Sequence, residues 1–203
     1  MRTSLSVTFA SLMVISMIGA PIAYKRWCDR QFRNFHVVEE GVLFRSGQLS
    51  IKRLEQVVAE HGIRTVINLR DGEYESDRHE ETWVKSRGLN FVRIPHQSWD
   101  REESGRIPAE NVLAAFRKVM DDPNNHPVLV HCLAGIHRTG TMVAIFRIDY
   151  QGWTNAEAMA EMRVMGYTVY HENVVRYFTT YQPPVRPKSI PAMTTSYKKN
   201  PLP

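Results

Sequence analysis

The stretch "PVLVHCLAGIHRTG" (127–140) decides the fold of this chain. It starts with "PVLVH", a short apolar run with the length and composition of a buried β-strand. A loop containing Gly135 follows, and from Arg138 the pattern becomes that of a helix. A strand that passes through a tight loop into a helix is a basic unit of α/β domains. We therefore expect an α/β fold, with the loop at the carboxyl end of a central strand.

On both sides of this stretch, strand-like patterns alternate with helix-like patterns. The predicted strands are a hairpin over 36–46 with Gly41 at its turn, 64–69, 90–95 and 127–131. The predicted helices start at Ser50, about Ser76, Pro108, about Arg138, Thr154 with a capping box to Glu157, and residue 171. This order predicts one domain, residues 34–182, with a mixed or parallel sheet flanked by helices.

The charge of the chain is concentrated at its ends. Residues 1–33 carry five basic residues and one acidic residue, and residues 183–203 carry four basic residues and none that are acidic. Residues 34–182 carry 17 basic and 20 acidic residues, so the domain lacks the basic surface of a nucleic-acid-binding protein. The two cysteines, Cys28 and Cys132, are too few for a disulfide framework or a cysteine-rich metal site.

The N-terminal segment 3–24 contains 22 residues without a charge, which is long enough for a transmembrane helix. One basic residue precedes it and four follow closely, so the positive-inside rule places residues 34–182 in the cytoplasm. A cleaved signal peptide that ends near Ala20, followed by export, is the alternative. We predict a single-pass membrane anchor within residues 1–33.

The C-terminal segment 183–203 differs in composition from the domain. It contains six prolines in 21 residues and shows no apolar periodicity. Such a composition predicts a disordered tail.

Cys132 lies where α/β sheets present ligands, directly after a buried strand. Amides of the following loop can converge on an anion, and the start of the next helix adds partial positive charge. The same field favours a thiolate at Cys132, which is the nucleophilic form of cysteine. Arg138 can fold back over the loop and bind two oxygens of a phosphate. The sequence therefore predicts that a cysteine nucleophile and a phosphate meet in one cradle.

This stretch resembles the C-x5-R signature of protein tyrosine phosphatases, and "HC..G..RTG" resembles the version of the dual-specificity branch. The segments "VLFRSGQLS", "RTVINLR", "FVRIPHQSWD" and "GWTNAEAMAEMR" are similar in form and order to segments of that group, so the resemblance covers about residues 37–181. It implies a three-layer cysteine-phosphatase fold. It also implies catalysis without a metal or an organic cofactor.

The resemblance assigns a role to each residue of the signature. Cys132 attacks phosphorus and forms a cysteinyl-phosphate intermediate, while Arg138 binds the phosphate oxygens. Thr139 would stabilise the departing thiolate, although its hydroxyl would also suit a helix cap. Arg45 is expected to support the loops around the pocket. His131 would orient the phosphate-binding loop, whose remaining members are Leu133, Ala134, Gly135, Ile136 and His137.

The leaving group needs a proton, and a carboxylic acid on a neighbouring loop is the usual donor. Asp100 follows the strand "NFVRIP" and precedes Cys132 by 32 residues, as the acid does in similar small phosphatases. Trp99 resembles part of the Trp-Pro-Asp loop of larger tyrosine phosphatases, but the proline is missing here. The other candidates are Glu102 and Glu103 in the same loop, and Asp71.

The residues in the middle of the loop indicate how many phosphate groups the substrate carries. Phosphoinositide-directed relatives carry lysines one and four positions after the cysteine, where this chain has Leu133 and Ile136. We therefore expect singly phosphorylated substrates, with phosphotyrosine and phosphoserine/threonine of proteins first. We also expect the catalytic domain to be monomeric. His137 matches the "HRTG" of inositol pyrophosphatase-like relatives and keeps an inositol phosphate or phosphoinositide as an alternative. A phosphate-binding module without turnover is another, and a rhodanese or arsenate reductase fits the motif less well.

Overall fold

The computed structural model of the chain describes residues 33–168 and 172–184, together with positions 13, 17 and 19–21. The described part contains a five-stranded sheet flanked by helices. The strands are β1 (His36–Glu39), β2 (Leu43–Ser46), β3 (Thr65–Asn68), β4 (Asn90–Arg93) and β5 (Val128–His131). The helices are α1 (Ile51–His61), α2 (Glu75–Ser86), α3 (Ala109–Met120), α4 (His137–Gln151), α5 (Asn155–Val164) and α6 (Glu172–Thr180), with a short 3-10 helix at Pro123–Asn125.

The sheet has the strand order β1-β2-β5-β3-β4. β1 and β2 form an antiparallel hairpin, whereas β2, β5, β3 and β4 run parallel to one another. β5 therefore lies at the centre, with β2 on one side and β3 on the other. All four of its residues are buried, as expected for a parallel strand with both faces covered.

Helices cover both faces of the sheet and give it three layers. Phe44, Val66 and Leu129 face α1 and α2, and they pack there with Leu54, Val57 and Val84. Successive residues of a strand point to opposite faces, so Leu43, Ile67, Val128 and Val130 face the other side. There they pack against α3, α4, α5 and α6. The predicted α/β fold with a mixed sheet is confirmed.

The predicted elements differ from the observed ones by one or two residues at their ends. The hairpin turn is at Gly41, and α2 covers 75–86 where the sequence predicts about 76–87. The predicted capping box is present, because Thr154 accepts from the Glu157 N–H while the Glu157 carboxylate accepts from the Thr154 N–H. Local side-chain chemistry therefore sets the start of α5.

The predicted membrane segment 3–24 lies almost entirely outside the described residues, as does the tail beyond residue 184. In the part that the structure describes, no helix is both long and apolar enough to cross a membrane. The membrane anchor therefore stays a prediction.

Candidate active site

Three neighbouring strands end in a row of polar residues. Ser46 of β2 and Asn68 of β3 both pair in register with His131 of β5. Residues in register point to the same face of a sheet, and this row lies on the face of Phe44 and Leu129, which α1 and α2 cover. All three are at most 1% exposed. The buried polar row lies at the carboxyl ends of these parallel strands, where the chain leaves β5 and reaches Cys132.

Cys132 begins the phosphate-binding loop and is buried. The backbone N–H of Gly135 donates to its Sγ at 3.3 Å. Gly135 has φ +73°, and a Cβ there would lie 2.5 Å from the backbone N of Gly47. The loop therefore packs backbone against backbone on the end of β2, and this contact turns an amide towards the sulfur.

Donors from residues 34–48 hold the carbonyl groups of three successive loop residues. The pairs are Gln48 N–H to Leu133 O (3.0 Å), Asn34 Nδ2 to Ala134 O (2.8 Å) and Arg45 Nη2 to Gly135 O (2.7 Å). The C=O and N–H of a trans peptide point in opposite directions, so the three amides that follow these carbonyls face the other side of the loop. One of them is the Gly135 N–H that reaches Cys132. Amides that face one way form a site for an anion.

Arg138 lies in the first turn of α4, which starts where the loop ends. Its Nη1 donates to the backbone O of Leu69 at 3.1 Å and lies 3.7 Å from a carboxylate oxygen of Asp71. The side chain therefore extends from α4 to the carboxyl end of β3 and stays partly exposed. Beside it is a mainly apolar cavity whose wall includes Leu69, Ile94, Trp99, Val112 and Met142.

The next two predicted residues lie on either side of Arg138. The Thr139 hydroxyl is fully buried and has no hydrogen-bond partner in the described residues. It does not cap α4, because the helix starts at His137 and the structure records no side-chain cap. The His137 ring lies edge-on to Tyr167, with 5.2 Å between the ring centroids. The structure therefore leaves the hydrogen-bonding capacity of the Thr139 hydroxyl unused within the described residues.

Asp100 lies in the loop after β4 and faces α6. Its carboxylate accepts from the Ser98 hydroxyl at 3.0 Å and from the side-chain amide of Asn173. Trp99 anchors this loop through an edge-on contact with Tyr177, at 5.0 Å between centroids. Within residues 33–168 and 172–184, no hydrogen bond or ion pair joins Asp100 to residues 131–138.

The alternative acids are placed differently. Asp71 is the carboxylate that lies beside Arg138, whereas Glu102 forms an ion pair with Arg106 at 3.0 Å and Glu103 is exposed. Among the residues that the structure describes, no cluster of His, Cys, Asp and Glu side chains is arranged to hold a metal ion.

Glu80 of α2 forms a buried network below the loop. Its Oε2 lies 3.1 Å from Nε2 of His131 and accepts from Asn68 Nδ2 at 2.7 Å, and its Oε1 accepts from Gln48 at 3.2 Å. Burial alone would raise the pKa of the Glu80 carboxyl. The charge of His131 and the hydrogen bonds from His131, Asn68 and Gln48 outweigh burial, so this pKa lies below its usual value.

We expect Glu80→Gln to destabilise the fold by about 1–3 kcal/mol at pH 7, because the buried network loses its charge. A carboxyl whose pKa is lowered by folding stabilises above its unfolded pKa, near 4.5, and this contribution disappears as the pH falls through the lower folded value. Urea unfolding at several pH values should therefore show the difference between wild type and variant shrinking below about pH 4.5. Glu75→Gln, on the exposed surface of the same helix, should change little. A difference that stays constant with pH would contradict this role.

A comparison with protein families identifies the chain. A family model described as "Tyrosine phosphatase family" matches residues 31–197, which is most of the chain. The chain belongs to the tyrosine phosphatase family. The recognition based on "HC..G..RTG" is therefore confirmed.

Individual phosphatases resemble the chain over part of its length. The dual specificity protein phosphatase TpbA of Pseudomonas aeruginosa is 37% identical over 88 residues, which are 43% of this chain and 38% of that protein. The inositol diphosphatase DSP5 of Arabidopsis thaliana is 29% identical over 130 residues, 63% of this chain and 59% of that protein. The chain thus spans less than two thirds of the length of either relative.

The structure of the core catalytic domain of the PP-IP phosphatase SIW14 from S. cerevisiae shares the fold. It superimposes with a TM-score of 0.60 at 21% sequence identity, over 74% of this chain and 86% of that domain.

Several residues that hold the phosphate-binding loop in place were not predicted from the sequence. Asn34 and Gln48 restrain loop carbonyls, and Glu80 contacts His131. Arg45 does contact the loop, as expected. Gln48 had a sequence signal, because it lies in the segment "VLFRSGQLS". Asn34 and Glu80 had none, because each lies among ordinary polar residues.

Proposed function

We propose that the protein is a cysteine-dependent phosphatase of singly phosphorylated esters, with phosphotyrosine and phosphoserine/threonine as its substrates. One observation carries the proposal. The Gly135 N–H donates to the Cys132 sulfur while the carbonyls of residues 133–135 are all held by donors on other segments. This leaves amides and the Arg138 guanidinium to bind the phosphate oxygens.

The reaction then needs two displacements at phosphorus. Cys132 Sγ attacks, the S–P bond forms and the bond to the ester oxygen breaks, while Asp100 gives its proton to the departing oxygen. Water next attacks phosphorus, loses a proton to Asp100 and displaces the thiolate. Thr139, whose hydroxyl has no partner in the described residues, donates to the sulfur as it regains its charge.

The surroundings of the loop favour a substrate with one phosphate. Leu133 is exposed and Ile136 is half-buried, so neither position adds a charge beside the phosphate. Arg138 is the loop's only arginine or lysine. A polyphosphorylated inositol would need further cations beside the loop.

An inositol phosphate is the second candidate, supported by His137 and by the names of DSP5 and SIW14. The test is a release assay for inorganic phosphate from the full chain with phosphotyrosine peptides, phosphoserine peptides, phosphoinositides and inositol phosphates with and without a diphosphate. We expect kcat/KM to be highest on the peptides. A preference of tenfold or more for a diphosphorylated inositol would replace the proposal by the second candidate.

We expect Asp100→Asn to lower kcat about 100-fold on phosphotyrosine peptides, because the leaving oxygen loses its proton donor. The loss should be smaller on para-nitrophenyl phosphate, whose leaving group departs without a proton. Steady-state kinetics with both substrates measure this difference. In the structure the Asp100 carboxylate accepts from the side-chain amide of Asn173.

The matched controls are Glu103→Gln, in the same loop, and Asp71→Asn, next to Arg138. Glu103→Gln should keep kcat within twofold of wild type, and Asp71→Asn should change both substrates alike. If Asp71→Asn instead produced the larger loss on the peptide, the role of general acid would belong to Asp71.

A further inference from the structure

Arg45 is a buried cation without a carboxylate partner. Three arginines of the described residues are buried, and two of them form short ion pairs: Arg70 with Asp77 at 2.8 Å and Arg147 with Glu161 at 2.7 Å. Arg45 is 2% exposed, and no carboxylate oxygen in this part of the chain lies within 4.0 Å of it. Burying an unpaired charge is costly, so its presence calls for a partner of another kind.

The contacts of Arg45 point to the phosphate-binding loop. It lies on β2, in register with Val130 of β5 and hence on the same face of the sheet as Cys132, two residues further on. Its Nη2 donates to the backbone O of Gly135 at 2.7 Å. Its Nε is buried and has no acceptor in the described residues.

The bond to Gly135 fixes one peptide of the loop. With the Gly135 carbonyl held towards Arg45, the Ile136 N–H must point the opposite way. If this peptide turned over, its oxygen would replace a donor on the side of the loop where the anion binds. By holding the Gly135 carbonyl, Arg45 therefore prevents a partly negative carbonyl oxygen from facing the bound anion.

The charge of Arg45 also acts on the sulfur. Burial lowers the pKa of the Arg45 guanidinium, attraction to Glu161 and Cys132 opposes this, and repulsion from Arg147 adds to it. Glu161 is already bound to Arg147, which leaves the anionic form of Cys132, or a bound phosphate, as the available counter-charge. The other titratable groups on the elements packed against the loop are Arg138 on α4, His131 on β5, Glu80 on α2 and Asp71 after β3.

We propose that Arg45 is a positioning residue of the phosphatase reaction, which holds the Gly135–Ile136 peptide in its anion-binding orientation and stabilises the anionic sulfur of Cys132 from beneath the loop. This inference rests on the proposed function for its effect on turnover. Its effect on the reactivity of Cys132 can be measured without any substrate.

The experiment compares Arg45→Met and Arg45→Lys with wild type in the full chain. Alkylation by iodoacetamide as a function of pH, followed by mass spectrometry of the Cys132 peptide, reports the anionic sulfur. We expect Arg45→Met to slow alkylation at pH 6 by tenfold or more, to move the half-maximal rate to higher pH, and to lower kcat more than it changes KM. Arg45→Lys keeps the charge but not the planar donor, so it should restore alkylation to within threefold while kcat stays about tenfold low.

The matched control is Arg117→Met, which removes a partly buried arginine bound to Asp149 at 2.7 Å. It should lower the melting temperature but leave the alkylation profile unchanged. If Arg45→Met does not fold, Arg45→Gln replaces it as an uncharged donor and should show the same slow alkylation. An alkylation profile like that of wild type in a folded, uncharged variant would overturn the inference. A wild type that alkylates as expected but releases no phosphate would overturn the proposed function instead.

Discussion

Cys132→Ser should abolish phosphate release, with kcat lower by on the order of 10⁵-fold or more, because the nucleophile is lost from both displacements. The serine hydroxyl is nearly the size of the thiol and can accept the Gly135 N–H as the sulfur does. The loop should therefore keep its shape. Single-turnover release of phosphate from a phosphotyrosine peptide measures the loss, and calorimetric titration with the same peptide measures the binding that remains.

The same variant separates a phosphatase from a phosphate-binding module. A module without turnover would bind the peptide equally well before and after the Cys132→Ser substitution, and neither form would release phosphate. For an enzyme, only the wild type releases phosphate, and the unreactive variant retains the peptide. Phosphate release that survives Cys132→Ser would mean that another group is the nucleophile.

The fold could be predicted because its signals are local. The buried strand "PVLVH", the hairpin around Gly41 and the capping box at Thr154 each depend on residues within a few positions of one another. Strand order is less local, since β5 inserts between β2 and β3 although it is the last strand in the described part of the chain. The alternation of strands and helices predicts a sheet with parallel strands, but it does not specify this order.

The site could be predicted only where its chemistry lies within ten consecutive residues. Cys132, Gly135 and Arg138 belong to one strand, loop and helix, so their spacing alone carries the prediction. Asn34 and Arg45 reach the loop across 100 and 90 residues, respectively. Such contacts arise because β2 and β5 are neighbours in the sheet. No local sequence pattern predicts that these two strands pair. Asp100 shows the remaining difficulty, because its carboxylate binds a side chain on α6, far along the chain.

The close packing of Gly135 on the end of β2 predicts a second large loss of activity and stability. Gly135→Ala places a Cβ 2.5 Å from the backbone N of Gly47 and 2.6 Å from the backbone C of Ser46, at a residue with φ +73°. Backbone atoms at the carboxyl end of β2 cannot rotate away as a side chain can, so the loop must shift. We expect a loss of stability of about 3 kcal/mol or more, and a kcat about 10³-fold lower, because the amides no longer point at the phosphate.

Gly41→Ala separates the cost of the backbone conformation from that of the clash. Gly41 has nearly the same φ, +71°, but a Cβ there would meet nothing within 4 Å. It should cost only the roughly 1–2 kcal/mol of a left-handed alanine, and kcat should stay unchanged. Equilibrium unfolding and steady-state kinetics on both variants measure the two effects. If the two substitutions cost the same stability and neither changed kcat, the close packing of the loop on β2 could not be what orients its amides.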